Sequence, residues 1–319
     1  MFASPITGQP MQEIFYGAYR DNGGRDYHCR FKVYPGHQGV DILLRNFRVM
    51  DSGVAVLAAA PGRVLAVRND LPDRSTALGS GGFGNNVLIE HGSGGPLAYY
   101  AHLRKGSIRV ARDAEVKRGD TLGLVGSSGN SNWPHLHFEV SDAGQVIDPF
   151  IGNCNPPVSQ PTWLDQLPWQ GTFAVLDAGI SRIPLTWAQL LERPPDEVLF
   201  TSADQQVTFW ANLFNAQASS TRTELRNPAG VELGGVTTGT FASFSTNFLS
   251  ATFNLSGLLT TAGQYSIALS MQTAGGEMVE VARRFFTYDP GAVPVPMPSP
   301  GVAPPGKHTV WIGPGAQDR

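Results

Sequence analysis

Between Asp51 and Val140 the chain alternates short aliphatic runs with glycine-centred breaks. Val54, Val56, Val64, Leu65, Val67, Val87, Ile89, Ile108, Val110, Leu122, Leu124 and Val125 supply the apolar positions. Pro61-Gly62, Gly79-Ser-Gly-Gly82, Gly92 to Gly95, Arg118-Gly-Asp120 and Gly126 to Gly129 supply the turns. Side chains alternate across a strand, so β-branched residues between such breaks predict short strands. No stretch here has a helical period of convincing length. The expected architecture is a compact antiparallel β core.

Pro156-Pro-Val-Ser-Gln-Pro161 interrupts this pattern and opens a linker over 156–169, in which Trp163 and Trp169 are expected to pack on one domain or the other. A second β unit follows over 170–289, with strands expected near 172–176, 206–213, 251–255, 265–271 and 278–288, and a short helix near 186–191. Gly263-Gln-Tyr265, ahead of an alternating strand, resembles the tyrosine corner of immunoglobulin-like sandwiches. This region is therefore read as an Ig-like or fibronectin-like β-sandwich. From Pro290 prolines alternate with Val, Met and Ala, which gives a solvated Pro-rich tail over 290–319 with no core of its own. Within it, Val310-Trp-Ile312 is the one segment able to dock. The first domain is then 1–155, and the chain as a whole is all-β.

Composition agrees with two domains. The chain has 319 residues, 41% of them hydrophobic, with 37 glycines and 24 prolines to serve many turns. A net charge of −3, with no basic run, gives no electrostatic case for nucleic acid. No apolar stretch approaches the ~20 residues that span a bilayer, so no transmembrane segment is expected. Met1-Phe-Ala-Ser-Pro-Ile-Thr-Gly8 lacks a basic region followed by an apolar one and does not read as a signal peptide. An export signal is expected to have been removed; the alternative is a cytosolic protein with an unprocessed start. The cysteine count, Cys29 and Cys154 only, favours one bridge joining the ends of the first domain over two unpaired thiols.

The chemistry concentrates in two short motifs. His37-Gln-Gly-Val-Asp41 and His135-Leu-His137 use three of only 7 histidines. They offer three good ligands for a divalent metal and one spare imidazole. The segment containing Gly39 can present His37 and Asp41 to one point. On a strand the skipped Leu136 leaves both flanking imidazoles on one face. Zinc accepts imidazole nitrogen and carboxylate oxygen, and a catalytic zinc site keeps one position open for water.

In chain order come Gly36-His-Gln-Gly-Val-Asp-Ile42, Ala58-Ala-Ala-Pro-Gly-Arg-Val-Leu-Ala66, Gly84-Asn-Asn-Val-Leu-Ile-Glu-His91, Tyr100-Ala-His-Leu103, Val116-Lys-Arg-Gly-Asp-Thr-Leu-Gly123, Gly126-Ser-Ser-Gly-Asn130 and Pro134-His-Leu-His-Phe-Glu139. This series resembles the lysostaphin/LytM family of zinc metallopeptidases, the M23 class, over roughly the first half of the chain. The resemblance implies one zinc per chain, bound in a groove by His37, Asp41 and His137. It implies that His102 and His135 are unligated catalytic histidines. It further implies a metalloendopeptidase acting on the peptides of bacterial peptidoglycan, secreted or held in the cell envelope. Where the family commonly has Ser-Thr-Gly before Pro-His-Leu-His, this chain has Ser131-Asn-Trp133, so that Trp133 is expected either to narrow the cleft or to stack on substrate.

Each motif alone has a plainer reading. His37 and Asp41 would be a surface pair, His102 a core or capping histidine, and 116–122 a lipoyl-type hairpin were it not for the ligands. His91 reads as structural, and His28 and His308 have no partners in sequence. Tyr34 and Tyr100 are secondary candidates for hydrogen-bonding an oxyanion. Two other functions fit the motifs: a secreted protease acting on Gly-rich protein, and a non-catalytic LytM-type activator of wall amidases.

Overall fold

The computed structural model describes residues 1–6, 14–155, 162–192, 196–216, 220–241 and 245–293. The proline break at 156–161 and the tail from 294, with His308 and Val310-Trp-Ile312, lie outside the described residues. The chain divides into two compact units, Met1–Gln170 and Gly171–Arg319. All but one regular element of each is a strand, and the strands pair antiparallel with one exception in the second unit.

The first unit contains β1 (Ile14–Ala18), β2 (Val40–Leu44), helix α1 (Phe47–Asp51), β3 (Ala55–Leu57), β4 (Gly62–Arg68), β5 (Asn85–Glu90), β6 (Leu97–Leu103), β7 (Glu115–Val116), β8 (Thr121–Leu124), β9 (His135–Asp142) and β10 (Gln145–Ile147). One sheet runs in the order β1-β2-β9-β6-β5-β4-β7, with β10 beside β9; β3 and β8 form a separate pair. Helix α1 starts where the Asn46 side chain accepts the Val49 N–H and so caps the first turn.

Alternation decides which way each strand faces. On β9, Leu136, Phe138 and Val140 point into the core with Val40 and Ile42 of β2, Ala98 and Tyr100 of β6, and Val87 and Ile89 of β5, all almost fully buried. Burial of each such aliphatic or aromatic side chain contributes roughly 1.5–3 kcal/mol. Phe2 and Trp163 close this face over Phe138, at ring separations of 5.9 and 5.3 Å. The intervening residues His135, His137 and Glu139 face the other side.

Part of the stretch read as a linker belongs to the first unit. Trp163 bridges to Phe2, Trp169 Nε1 donates to Asp26 Oδ2 at 2.9 Å, and Gln170 Oε1 accepts the Tyr16 N–H at 2.7 Å. The two cysteines are joined: Cys29–Cys154 is a disulfide across 125 positions. Loop-closure entropy gives such a link an upper contribution of about 4–5 kcal/mol.

The second unit contains β11 (Ala174–Ser181), α2 (Trp187–Leu191), β12 (Leu199–Phe200), β13 (Gln206–Phe214), β14 (Thr221–Arg226), β15 (Glu232–Thr238), β16 (Thr246–Asn254), β17 (Gly263–Gln272) and β18 (Met278–Tyr288). A three-stranded sheet β11-β13-β16 and a five-stranded sheet β12-β18-β17-β14-β15, with β12 parallel to β18, share one core. Ile180, Phe209, Leu213 and Leu249 of the first sheet pack in one cluster with Leu225, Ile267, Leu269 and Phe286 of the second. Thr186 and Gln189 form a reciprocal capping box that starts α2. The Tyr265 hydroxyl donates to Thr261 O at 2.9 Å, tying the start of β17 to the turn before it.

Candidate active site

Antiparallel pairing brings the two motifs together. Asp41 on β2 lies directly opposite His137 on β9, and Leu43 opposite His135. His37 precedes β2 and is folded back over it. Gly39 makes this possible, because a Cβ there would sit 2.6 Å from Phe138 O and 2.8 Å from the His137 ring.

The atoms that converge are His37 Nε2, Asp41 Oδ1 and His137 Nδ1. They are separated by 3.1 Å (His37 to Asp41), 2.9 Å (His137 to Asp41) and 3.3 Å (His37 to His137). His37 Nδ1 is 2.7 Å from Tyr19 O, an acceptor with no proton to give, so its N–H lies on that side and Nε2 offers a lone pair. His137 Nε2 is 3.2 Å from Glu139 Oε2, so Nδ1 is the nitrogen turned to the cluster. Without a metal, a proton on His137 Nδ1 bridges the 2.9 Å contact to Asp41, and a cation held among the three atoms would take its place. Their spacing is close to the edge of about 3.3 Å expected for a tetrahedron with bonds of ~2.0–2.1 Å. The donor set fits zinc, and these are the residues among those described that could hold a metal. Burial opposes charge on Asp41, but His37, His135 and His137 outweigh it and hold the carboxyl well below its usual range. Burial also opposes charge on His137, yet Asp41 and Glu139 push it up to about 9.

His102 and His135 stand beside this cluster. Their ring centres are 4.5 Å apart, and His135 Nε2 is 3.7 Å from Asp41 Oδ1. His102 reaches the site through a bulge: pairing of β5 with β6 passes from Val87–Tyr100 to Asn85–Leu103, leaving one extra residue on β6. His102 there takes φ +60°, a left-handed conformation rare outside glycine, and so turns to the site face. Its main chain is held by Phe83 O, which accepts the His102 N–H at 2.9 Å, and its Nδ1 by Ser128 O at 2.8 Å. Gly129 and Gly84 let the two supporting loops touch, since a Cβ on Gly129 would meet Gly84 N at 2.4 Å. His135 Nδ1 is 2.7 Å from Trp133 O. Both rings therefore carry hydrogen on Nδ1 and leave Nε2 as a base. Burial lowers the proton affinity of each, most strongly for His102.

Of the secondary candidates, Tyr34 belongs to the site. Its hydroxyl donates to Asp41 Oδ2 at 3.1 Å, and its ring stacks on His37 at 4.3 Å. Tyr100 does not: it points into the core, where its hydroxyl accepts the Ala59 N–H at 2.9 Å and lies 3.1 Å from His91 Nε2. Even alternation with Phe138 on the neighbouring strand puts Tyr100 on the core face. His91 is held between Pro61 O and Tyr100, a structural role as expected. Trp133 neither narrows the cleft nor offers a face to substrate. It is 4% exposed, with Nε1 donating to Leu44 O at 2.6 Å. Sequence reasoning passed over Glu139 as a functional residue, although its position two after His137 on one strand places it on the same face.

Residues 35–149 match Peptidase family M23. Over 105 residues the chain is 36% identical to the cell division protein DipM of Caulobacter vibrioides, covering 31% of this chain and 15% of that protein. It is 35% identical over 112 residues to the DD-carboxypeptidase/endopeptidase Mpg of Neisseria meningitidis serogroup B, covering 34% of this chain and 25% of that protein. A third relative is the murein hydrolase activator NlpD of Escherichia coli, 32% identical over 114 residues, covering 36% and 25%. The chain thus spans a quarter or less of the length of these relatives.

Proposed function

With residues 35–149 a Peptidase family M23 domain, we propose that the chain is a zinc metalloendopeptidase hydrolysing peptide bonds of bacterial peptidoglycan. The observation that carries this reading is the convergence of His37, Asp41 and His137 as lone-pair donors beside two further imidazoles whose Nε2 atoms are unprotonated. His37 Nε2, Asp41 Oδ1 and His137 Nδ1 would hold one zinc per chain. A zinc held there would supply Lewis acidity, which lowers the pKa of water to ~7 and polarises a carbonyl.

The remaining work falls to the protein's own groups. Tyr19 O and Glu139 fix the orientation of the two ligating imidazoles. Tyr34 engages the second oxygen of Asp41 and leaves Oδ1 for the cluster. His102 or His135 takes the proton of the attacking water at Nε2 and delivers it to the leaving amine nitrogen. Replacing either with Ala should lower turnover by ~10²–10⁴-fold while bound zinc stays near one per chain. Loss of zinc from His102→Ala would contradict its assignment.

The disulfide Cys29–Cys154 supports an oxidising compartment, secreted or within the cell envelope. No helix among the described residues is long and apolar enough to cross a membrane. The grouping of β11, β13 and β16 against the other strands, together with the Tyr265–Thr261 bond, supports an immunoglobulin-like or fibronectin-like reading of the second unit.

Release of new amines from purified peptidoglycan tests the substrate. Cleavage confined to glycine-rich protein would move the assignment to a secreted protease. Similarity to a murein hydrolase activator supports one other reading, a non-catalytic regulator. A purified protein without zinc or amine release that stimulates a wall amidase would favour it.

A further inference from the structure

Taking His135 as a proton-transfer residue, which rests on the function just proposed, we propose that Ser131 and Trp133 are positioning residues that lock His135 into its Nδ1–H tautomer. The carbonyl of Trp133 faces His135 Nδ1 at 2.7 Å, and Ser131 Oγ is 3.3 Å from the same nitrogen. A carbonyl only accepts, so this contact demands hydrogen on Nδ1 and leaves Nε2 directed at the metal cluster.

The carbonyl is itself held from three sides. The Trp133 indole donates to Leu44 O at 2.6 Å, and Leu44 N donates to Pro134 O at 2.9 Å, so the 133–134 segment is bolted to the end of β2. Pro134 restricts Trp133 to extended backbone. Ser131 Oγ donates to Trp133 O at 2.8 Å and lies 2.9 Å from Ser127 Oγ. Ser127 is anchored in turn: its N–H donates to Asp73 Oδ1 at 2.7 Å and its hydroxyl to Ser75 O at 2.8 Å. Ser127, Ser131 and Trp133 are all buried, so water does not compete for these bonds. The Ser131–Trp133 pair abuts Ser127 and ends at His135. His102 hangs on a separate acceptor, Ser128 O, and serves as an internal control.

The wild-type chain, Trp133→Phe, Ser131→Ala and Ser131→Thr are compared by NMR of ¹⁵N-labelled histidine, with zinc content and steady-state kinetics alongside. In the wild type, His135 is expected to carry hydrogen on Nδ1 alone. Trp133→Phe and Ser131→Ala should mix the two tautomers at His135 and leave His102 unchanged, while Ser131→Thr, which keeps the hydroxyl, restores the wild-type signal. Zinc per chain should stay at the wild-type value, kcat should fall roughly 10-fold or more, and KM should move by less than about 2-fold. An Nε2–H tautomer at His135 in the wild type, or an unmixed Nδ1–H signal in both Trp133→Phe and Ser131→Ala, overturns the proposal. Should Trp133→Phe fail to fold, Ser131→Ala carries the same test. The tautomer signal needs no substrate, so a wild-type chain that cleaves no peptidoglycan would refute the proposed function and leave this result standing on its own.

Discussion

In the first unit six buried polar side chains converge on one point, whereas in the second the buried polar side chains are dispersed along the strands. His37, Asp41, His102, His135, His137 and Glu139 are all buried and all meet within a few ångströms on one face of one sheet. In the second unit Thr208 bonds Thr252 across a strand pair at 2.9 Å, Arg283 Nη1 donates to Ser266 Oγ at 3.0 Å, and Arg182 lies between Glu197 and Asp204. A buried polar group left unpaired costs about 1–3 kcal/mol, so dispersed pairs are what stability alone would select. Two imidazoles and a carboxylate gathered around one point form a donor set that a metal ion would bind, and this is the feature on which the proposed chemistry of the first unit rests.

This contrast can be pressed unit by unit. Cys29→Ser opens the 125-position loop and should destabilise the first unit by up to about 4–5 kcal/mol. Hydrogen exchange should show faster opening in β1 and β2 with the second unit unchanged; equal loss in both units would mean that they do not behave separately.

A smaller effect follows from Asp148. Burial lifts its carboxyl to about 6, above the ordinary 3.8, against hydrogen bonds from Asn22 and the Phe150 N–H. The folded chain thus keeps a proton there that the unfolded chain releases near pH 4. This stabilisation is complete below about pH 4, is lost as the pH rises through about 6, and amounts to about 3 kcal/mol at most. Denaturant unfolding at several pH values should show wild type losing ground to Asp148→Asn over that window. Parallel profiles would contradict it.

Glu139→Gln keeps the shape and removes the carboxylate behind His137. Competition with a zinc-binding dye should report affinity about 10–100-fold weaker, at near-wild-type melting temperature. The smallest change is expected in the second unit: Tyr265→Phe removes the hydroxyl that donates to Thr261 O and accepts the Thr261 N–H, with a loss of about 1 kcal/mol and no effect on zinc.

Sequence pattern carries much of this picture and stops at definable places. The period of two on 135–139 and the glycine between His37 and Asp41 are local, and both motifs fell where their spacing put them. The turn to φ +60° at His102 is not local: it depends on the loops around Phe83 and Ser128, which no window of sequence displays. Trp133 misled because an indole beside the motif suggests exposure, while the acceptor that buries it, Leu44 O, lies 89 positions away. In the second unit β13, β17 and β18 were legible from their apolar alternation. Strand β14 was not, because Thr221 and Thr223 take core-facing positions that read as polar.

His37, Asp41 and His137 converge as ligands in the first unit, and the proposed zinc hydrolase stands or falls on them. Zinc content and amine release from purified peptidoglycan, measured together on wild type and His137→Ala, test it most directly. The account predicts one zinc per chain and chelator-sensitive release in the wild type, with both lost in the variant. A wild-type protein that binds no zinc, or a His137→Ala protein that keeps both zinc and cleavage, would contradict it.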